Sequence, residues 1–225
     1  MYWLLHTSAG LRLRIIVGVT ILALLAIDDL RRRGRSATRW REYAVLAVCV
    51  AVALLYGIIN DQITVTISWE YFYYGKELDR VLGPAVPPDM AALRWGAAKV
   101  GMMATWSAGL IFGVALLLAN NPMRSLPRMG YRRLLRIGLP IMVLSAVVCG
   151  VVGGIAGYHG WLTWCSDDFA DLVQMNMYRP YHFMCTWGVH LGGYVGGLIG
   201  TIVVVAVVLQ RRVNLRNRWV DSPKQ

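Results

Sequence analysis

Apolar residues occur along the chain in five long runs that polar segments separate. A helix of about 20 apolar residues crosses the ~30 Å hydrocarbon core of a bilayer. The pattern therefore predicts an all-α membrane protein, with one integral membrane domain over residues 1–225 and a bundle of five transmembrane helices. The predicted spans are residues 11–27, 43–59, 96–119, 137–157 and 187–209, and the predicted outer segments are 60–94 and 158–186.

The first run, residues 11–27, has two other interpretations. A signal peptide would need a clean small-residue cleavage site, and it would export the arginine-rich segment that follows. An interfacial helix would need a polar face, which this run lacks. We therefore predict a spanning helix with the N-terminus outside, and a bundle of four helices if this run does not cross.

Basic residues are concentrated in alternate polar segments. Segments 28–42 and 122–136 and the tail after residue 209 hold 16 of the 23 Lys and Arg. The two remaining polar segments hold four of the Lys and Arg but eight of the 12 Asp and Glu. Because basic loops stay on the cytoplasmic side, the tail is predicted to be cytoplasmic and segments 60–94 and 158–186 to lie outside.

Composition agrees with the membrane class. The chain is 57% hydrophobic and 16% charged, against about 25% charged in soluble domains. Its net charge of +11 would suggest nucleic acid in a soluble protein. Here the basic segments are short, alternate with apolar runs and lack a nucleic-acid-binding motif, so the predicted partner is the lipid bilayer and not nucleic acid.

The outer segment after the second span changes character along its length. From Ile63 to Trp69, hydrophobic residues alternate with Thr and Ser, which predicts a short strand. A lone strand cannot face lipid, so we expect it to be covered by protein or to lie outside the hydrocarbon. The aromatic residues 69–74 follow. They are either an interfacial belt or the wall of a lipid or small-molecule site.

Three ionisable residues are the candidate catalytic groups: Asp61, Glu70 and His190. Asp61 is predicted where the second span leaves the membrane. Burial by the aromatic residues would suit Glu70 to proton transfer, whereas an ion pair with a nearby Lys or Arg would make it structural.

His190 lies within the fifth span, on the helical face that also carries Tyr194, Gly197 and Thr201. An ionisable group inside a span is a functional candidate, and the alternative is a hydrogen-bonded histidine that joins two helices. The neighbouring face is predicted to meet lipid through Leu191, Val195, Leu198, Ile202 and Val205.

Metal and disulfide chemistry have weaker signals. His159, His182 and His190 are the metal candidates, but they lack the short ligand spacings of known sites. The sequence leaves the cofactor unknown. Cys165 and Cys185 share the oxidising outer side and form a candidate disulfide.

Glycine recurs at intervals of four in the fifth span, at Gly188, Gly192, Gly196 and Gly200, and the third and fourth spans are also glycine-rich. Small residues allow helices to approach closely in lipid, where hydrophobic attraction between helices is weak. We interpret these positions as helix–helix contacts. The alternative is room for a substrate path.

Four short motifs resemble an uncharacterised family of bacterial integral membrane proteins. They are D-Q-I-T at 61–64, E-Y-F at 70–72, the Trp-rich start of the third span, and H-x-x-x-Y-x-x-G at 190–197. The resemblance implies the bacterial inner membrane but no activity. It points to the three candidate catalytic groups and to four candidate ligand-binding residues, Gln62, Tyr71, Phe72 and Tyr194.

Three functions fit the sequence, which does not decide whether the protein is an enzyme. The first is an outer-leaflet site for a lipid-like or small apolar ligand, with Asp61, Glu70 and His190 as its polar groups. The second is a non-catalytic structural or assembly subunit that packs against a second copy or a membrane partner through its glycine faces. The third is a small transporter, against which the lack of ionisable residues in the inner halves of the spans counts.

Overall fold

The computed structural model describes residues 8–121, 126–162 and 178–220. Within them the chain is helical, and no β-strand occurs. The helices are α1 (Ser8–Arg33), α2 (Arg39–Ile67), α3 (Trp69–Tyr73), α4 (Asp79–Leu82), α5 (Met90–Ala119), α6 (Tyr131–Tyr158) and α7 (Pro180–Val220).

Four helices of the described chain, α2, α5, α6 and α7, are long and apolar enough to cross a membrane. The first three have 28 to 30 residues, or about 42–45 Å at 1.5 Å per residue, which exceeds the ~30 Å hydrocarbon core. The protein is therefore a multi-pass integral membrane protein, and the predicted all-α class is confirmed. Each of the four helices extends beyond the predicted span.

The first predicted span falls within α1, but its crossing of a membrane stays a prediction. The chain divides into two compact units, residues 1–47 and 48–225. In the first unit, the buried Asp29 accepts hydrogen bonds from the backbone N–H groups of Thr38 and Arg39, each at 3.0 Å. The hydrogen bond from Arg39 is the largest cause that holds the pKa of Asp29 below its usual value. Asp29 thereby caps the start of α2.

The predicted strand at residues 63–69 is wrong, because α2 continues as a helix to Ile67. Thr64 Oγ1 donates to Asn60 O at 2.9 Å, and Thr66 Oγ1 donates to Ile63 O at 2.6 Å, so both threonines bond their own helix. β-Branched residues favour strands where a pleated sheet exists to pair with. Here a helix satisfies every backbone group within the segment, which an apolar environment requires.

Helices α6 and α7 are antiparallel and touch through their backbones. A Cβ atom at Gly153 would collide with the carbonyl of Gly188, and one at Gly192 would collide with the carbonyl of Cys149. The same holds between Gly157 and Met184 O, and between Gly196 and Ser145 O. The prediction that these glycines form close helix–helix contacts is confirmed within the chain.

A second backbone contact joins α2 to α5. A Cβ at Gly57 would collide with Gly101 O, and a Cβ at Gly101 would collide with Gly57 O. Further along, a Cβ at Gly109 would stand 2.7 Å from the Cβ of Ala53. These contacts also run antiparallel. Asp61 near the end of α2 lies 3.7 Å from His190 near the start of α7, so α2 and α6 end, and α5 and α7 begin, at one end of the bundle, which we call the cap end. The opposite end is the basic end.

One arginine organises the basic end. The sequence interpretation placed Arg212 in a basic tail, but the side chain lies in α7 and is fully buried. Its guanidinium donates hydrogen bonds to four backbone carbonyls around the end of α5, those of Ala119, Asn121, Leu126 and Pro127. A cation at the C-terminus of a helix is favoured by the helix dipole.

The glycine contact between α6 and α7 leads to a stability prediction. Gly192→Leu places a side chain against the backbone of Cys149, which cannot rotate away, so we expect a destabilisation of at least 1–3 kcal/mol, and a lower melting temperature in detergent. Gly18→Leu is the matched control, because a Cβ at Gly18 meets nothing within 4 Å and Gly18 makes no close helix contact. Equal melting temperatures and yields for the two variants would contradict the close contact.

Candidate functional site

The candidate site lies at the cap end and begins with the interruption after α2. Ser68 is extended (φ −143°, ψ 105°), and its hydroxyl accepts a hydrogen bond from Tyr71 N at 3.2 Å. This is an N-cap, which ends α2 and starts the short helix α3. We call α3, Trp69–Tyr73, the aromatic cap.

Most of the aromatic cap is buried. Tyr71, Phe72 and Tyr73 are at most 3% exposed. They belong to a cluster with Leu93 and Ala97 of α5 and with Phe183 and Met184 of α7. For these three residues the interpretation as an interfacial belt is therefore wrong.

The aromatic cap covers His190. The Tyr71 ring stacks on the imidazole with a centroid distance of 4.9 Å and an interplanar angle of 20°, and Phe72 meets it edge-on at 5.9 Å. Burial, and to a lesser degree the nearby Tyr194 and Asp61, raise the pKa of the Tyr71 phenol. His190 thus stacks on a protonated, neutral phenol. The imidazole faces the protein interior, as its helical position predicted.

Asp61 and His190 converge. Asp61 lies within α2, six residues before its end at Ile67, and so about 9 Å from that helix end. Its Oδ1 accepts a hydrogen bond from Asn60 Nδ2 at 3.2 Å and lies 3.7 Å from His190 Nε2. The same Nε2 is 3.4 Å from Thr64 Oγ1.

The second carboxylate oxygen of Asp61, Oδ2, has no hydrogen-bond partner among the described residues. The residue is 2% exposed, and no described residue donates a hydrogen bond to Oδ2. A Cβ added to Gly101 would stand 3.0 Å from this oxygen. An unpartnered buried acceptor costs about 1–3 kcal/mol, so such atoms are uncommon in folded proteins.

Asp61 belongs to the wall of a cavity of about 240 Å³ between α2, α5, α6 and α7. Tyr56, Asn60, Asp61, His190 and Tyr194 supply its polar groups. Deeper in the bundle it is lined by Ala53, Gly109, Phe112, Met142 and Ala146. His190, Tyr194, Gly197 and Thr201 all line it, so the predicted inward face of the fifth span is confirmed.

The two threonines in the wall do not add free donors. Thr105 Oγ1 donates to Gly101 O at 2.8 Å, and Thr201 Oγ1 donates to Gly197 O at 2.7 Å. Both hydroxyls are thus bonded within their own helices. The cavity is polar at the cap end and apolar further in.

A larger groove of about 450 Å³ lies between α2 and α6. Branched aliphatic side chains such as Leu55, Ile59 and Val147 dominate its wall, and these three are exposed. Tyr56 and Asn60 line both the groove and the cavity. The groove contains neither Asp61 nor His190, and we do not assign it a ligand.

Glu70 has a different role from the other two candidates. Its buried carboxylate accepts hydrogen bonds from the backbone N–H groups of Tyr178, at 2.7 Å, and Arg179, at 3.2 Å. These residues directly precede α7, so Glu70 satisfies and neutralises the N-terminal end of that helix. Glu70 does not line the cavity. Its contacts support neither the expected proton transfer nor the expected ion pair with a side chain.

Gln62 also joins helices. Its Nε2 donates to Arg94 O at 2.9 Å, and Arg94 Nη1 donates back to Gln62 Oε1 at 3.4 Å. Of the four candidate ligand-binding residues, Tyr194 lines the cavity, Tyr71 and Phe72 contact His190 from the aromatic cap, and Gln62 connects α2 with α5.

The metal candidates do not gather. Across residues 8–121, 126–162 and 178–220, no group of three or more His, Cys, Asp and Glu side chains could hold a metal ion. His159 and His182 both contact the ring of Tyr158, at 5.6 and 5.7 Å between centroids. Cys185 has no disulfide partner among the described residues. Cys165 lies outside the described residues, so the disulfide stays a prediction.

Sequence reasoning missed Tyr56, Asn60 and Thr64. The strand interpretation of residues 63–69 removed Thr64 from the helix, and the predicted end of the second span at residue 59 separated Tyr56 from Asp61. Read as a helix, residues four apart share a face, so Tyr56, Asn60 and Thr64 form one row and Gly57 and Asp61 form the next. The helical period was therefore the signal that could have found them.

Comparisons of the chain with protein-family models, with curated protein sequences and with solved structures give no match. The class of the protein is thus defined by its fold, which is a helical, multi-pass integral membrane protein. Its family resemblance stays a prediction.

The role of Glu70 predicts a stability change. Glu70→Gln replaces one acceptor oxygen by an amide that faces a backbone N–H, so we expect a loss of about 1–3 kcal/mol. At roughly 2–4 °C per kcal/mol, the melting temperature in detergent falls by several degrees.

Glu77→Gln is the control for this variant. Glu77 pairs with Arg80 at 2.9 Å, but both side chains are exposed, and exposed ion pairs contribute little. If Glu70→Gln melts at the same temperature as Glu77→Gln, the capping role is wrong.

Proposed function

We propose that this chain is a protein of the bacterial inner membrane that binds a lipid-like or small apolar ligand in the outer half of the bilayer. The binding site is the cavity between α2, α5, α6 and α7, with Asp61 and His190 as its polar groups. The observation that carries the proposal is that Asp61 lines this cavity while its buried Oδ2 has no hydrogen-bond donor among the described residues.

The composition of the wall supports binding. Ligand sites are mostly apolar with a few placed polar groups. Here a carboxylate and an imidazole stand 3.7 Å apart, held by Asn60, Thr64 and the aromatic cap. The remaining wall consists mainly of glycine, alanine and large apolar side chains. Such a site recognises one polar group on an otherwise apolar molecule.

The depth of the cavity supports a position of its polar groups in the outer half of the bilayer. Along α2 it extends from Asp61 to Ala53, or about 12 Å at 1.5 Å per residue. Ala53 is the middle residue of the 29-residue helix α2. Along α5 the cavity continues to Phe112, past the middle of that helix. The polar groups of the site therefore lie in the cap-end half of the bundle, and the apolar end of the cavity reaches its middle.

The distribution of charge supports the orientation. The basic end carries exposed arginines, namely Arg128, Arg132, Arg133, Arg136, Arg211 and Arg216. The cap end carries acidic residues between α3 and α5, including Glu77, Asp79 and Asp89. By the positive-inside rule the basic end is cytoplasmic, and the cap end with its cavity is external.

The other two functions have less support. An assembly subunit that associates through its glycine faces would need those faces to be exposed. In this chain the glycine faces of α6 and α7 pack against each other, at Gly153, Gly157, Gly188, Gly192 and Gly196. A transporter would need polar groups that continue toward the basic end. The deep wall of the cavity instead consists of Ala53, Phe112, Met142 and their apolar neighbours.

Filling the cavity tests the proposed site. Gly197 lines the cavity, and a Cβ there meets nothing within 4 Å, so Gly197→Leu fills the space without a backbone collision. We expect wild-type protein, extracted in native lipid discs, to carry a stoichiometric apolar molecule that this variant loses. Mass spectrometry of the organic extract is the measurement.

Gly18→Leu is the matched control, because Gly18 is also open within 4 Å and does not line the cavity. It should retain the bound molecule. Identical extracts from wild type and both variants would refute the site.

Orientation has its own test. Ala85→Cys, between α4 and α5, and Gly130→Cys, just before α6, are both exposed. In intact bacterial cells, a membrane-impermeant maleimide should label the Cys at 85, while the Cys at 130 should react only after lysis. Wild-type protein measures the background from native cysteines. The reverse pattern would invert the proposed orientation.

A further inference from the structure

The hydrogen-bonding groups around Asp61 define what the proposed site, on which this inference rests, still lacks. Oδ1 accepts from Asn60 and lies near His190 Nε2. The Thr64 hydroxyl donates to Asn60 O and is near the same imidazole nitrogen. Oδ2 alone has no donor among the described residues. For the ionised carboxylate, which only accepts, the missing partner is therefore a hydrogen-bond donor.

The protein backbone does not supply that donor. Oδ2 lies beside Gly101, where α2 and α5 touch through the carbonyls of Gly57 and Gly101. Carbonyls are acceptors, and the N–H groups at these positions are inside helices, where they bond their own helix. No described side chain donates to Oδ2 either, so we expect the donor to come from a molecule in the cavity.

The size of the cavity limits that molecule. Its volume of about 240 Å³ corresponds to roughly eight waters at ~30 Å³ each. This is below the ~300–1,000 Å³ of typical sites for drug-sized ligands. A narrow chain fits, whereas a lipid with two acyl chains does not fit inside.

The mouth of the cavity opens toward lipid. Ile111 of α5 and Leu198 of α7 both line the cavity, yet they are 66% and 64% exposed. A residue that does both stands at the opening. Ile111 is 21 residues into α5 and Leu198 is 18 residues into α7, so both lie about 27–32 Å from the cap-end termini of their helices. The opening is therefore apolar and within the depth of the bilayer.

We infer that the site takes a single-chain amphiphile whose head group donates a hydrogen bond, as an alcohol or a protonated amine does. The head binds Asp61 Oδ2, and the chain runs past Phe112 and Met142 and leaves the bundle between Ile111 and Leu198. A carboxylate or sulfate head would place an acceptor against an acceptor. Such heads are excluded from the polar end.

Head-group selectivity tests the inference. The full-length protein is reconstituted in phosphatidylcholine vesicles with photoactivatable alkyl probes of one chain length, which carry a hydroxyl, ammonium, carboxylate or sulfate head. We expect the hydroxyl probe, the ammonium probe or both to label the peptides that contain Phe112 and Leu198. The two anionic probes should label them roughly tenfold less, the factor expected for one hydrogen bond to a carboxylate.

Two variants show which part of the cavity is responsible for the labelling. In Asp61→Asn, Asn60 keeps the amide oxygen in the place of Oδ1, so the amide NH₂ stands where Oδ2 was. Labelling by the donor probes should then fall about tenfold, to the level of the anionic probes. Gly197→Leu should abolish labelling by every probe. Elution of each variant as wild type in size-exclusion chromatography shows that it is folded.

The outcomes separate the two proposals. If Gly197→Leu leaves all labelling unchanged, the cavity does not bind the probes and the proposed function fails with this inference. If Gly197→Leu blocks labelling but the four heads label wild type equally, the cavity binds chains without head recognition and only this inference is wrong. The comparison of heads on wild type decides even if Asp61→Asn does not fold.

Discussion

The backbone contact between α6 and α7 determines how the rest of the bundle is arranged. In lipid, helices gain little from hydrophobic attraction, so close approach through small residues supplies the packing energy. The glycines from Gly188 to Gly196 and the residues from His190 to Thr201 lie on nearly opposite sides of α7 at ~100° per residue. Once the glycine face is fixed against α6, the opposite face is directed at α2 and α5. The position of His190 opposite Asp61 is therefore a consequence of the glycine contact.

The aromatic cap joins the two remaining parts of the site. It is one short helix, but its neighbouring residues serve separate purposes. Glu70 holds the N–H groups of Tyr178 and Arg179 at the start of α7, and Tyr71 stacks on His190 two to three turns further along the same helix. The cap thus anchors the end of α7 and covers the imidazole at once. A site built around His190 needs both the anchor and the cover, because an unanchored start of α7 would leave the position of the imidazole undefined.

Much of the fold follows from the sequence, since hydrophobic length and helical period report local chemistry. The four long helices and the inward face at His190, Tyr194 and Gly197 were predictable on that basis. The alternation at residues 63–69 by itself predicts a strand. That prediction failed because the preceding helix and the apolar surroundings override β propensity. Arg212 and Glu70 were misjudged for another reason. Their partners lie 85 to 93 and 108 to 109 residues away in the chain, and no local pattern encodes them.

The same reasoning explains why Asp61 keeps an oxygen without a donor inside the bundle. Gly57 and Gly101 bring α2 and α5 into backbone contact, so no side chain from either position can reach Oδ2. An alanine at 101 would put its methyl group 3.0 Å from that oxygen and would offer no proton. The close contact that stabilises the helix pair therefore leaves that oxygen without a donor from positions 57 and 101. A bound molecule is the group that can supply the donor without separating the two helices, which is why the packing of this bundle and its proposed binding function depend on the same glycines.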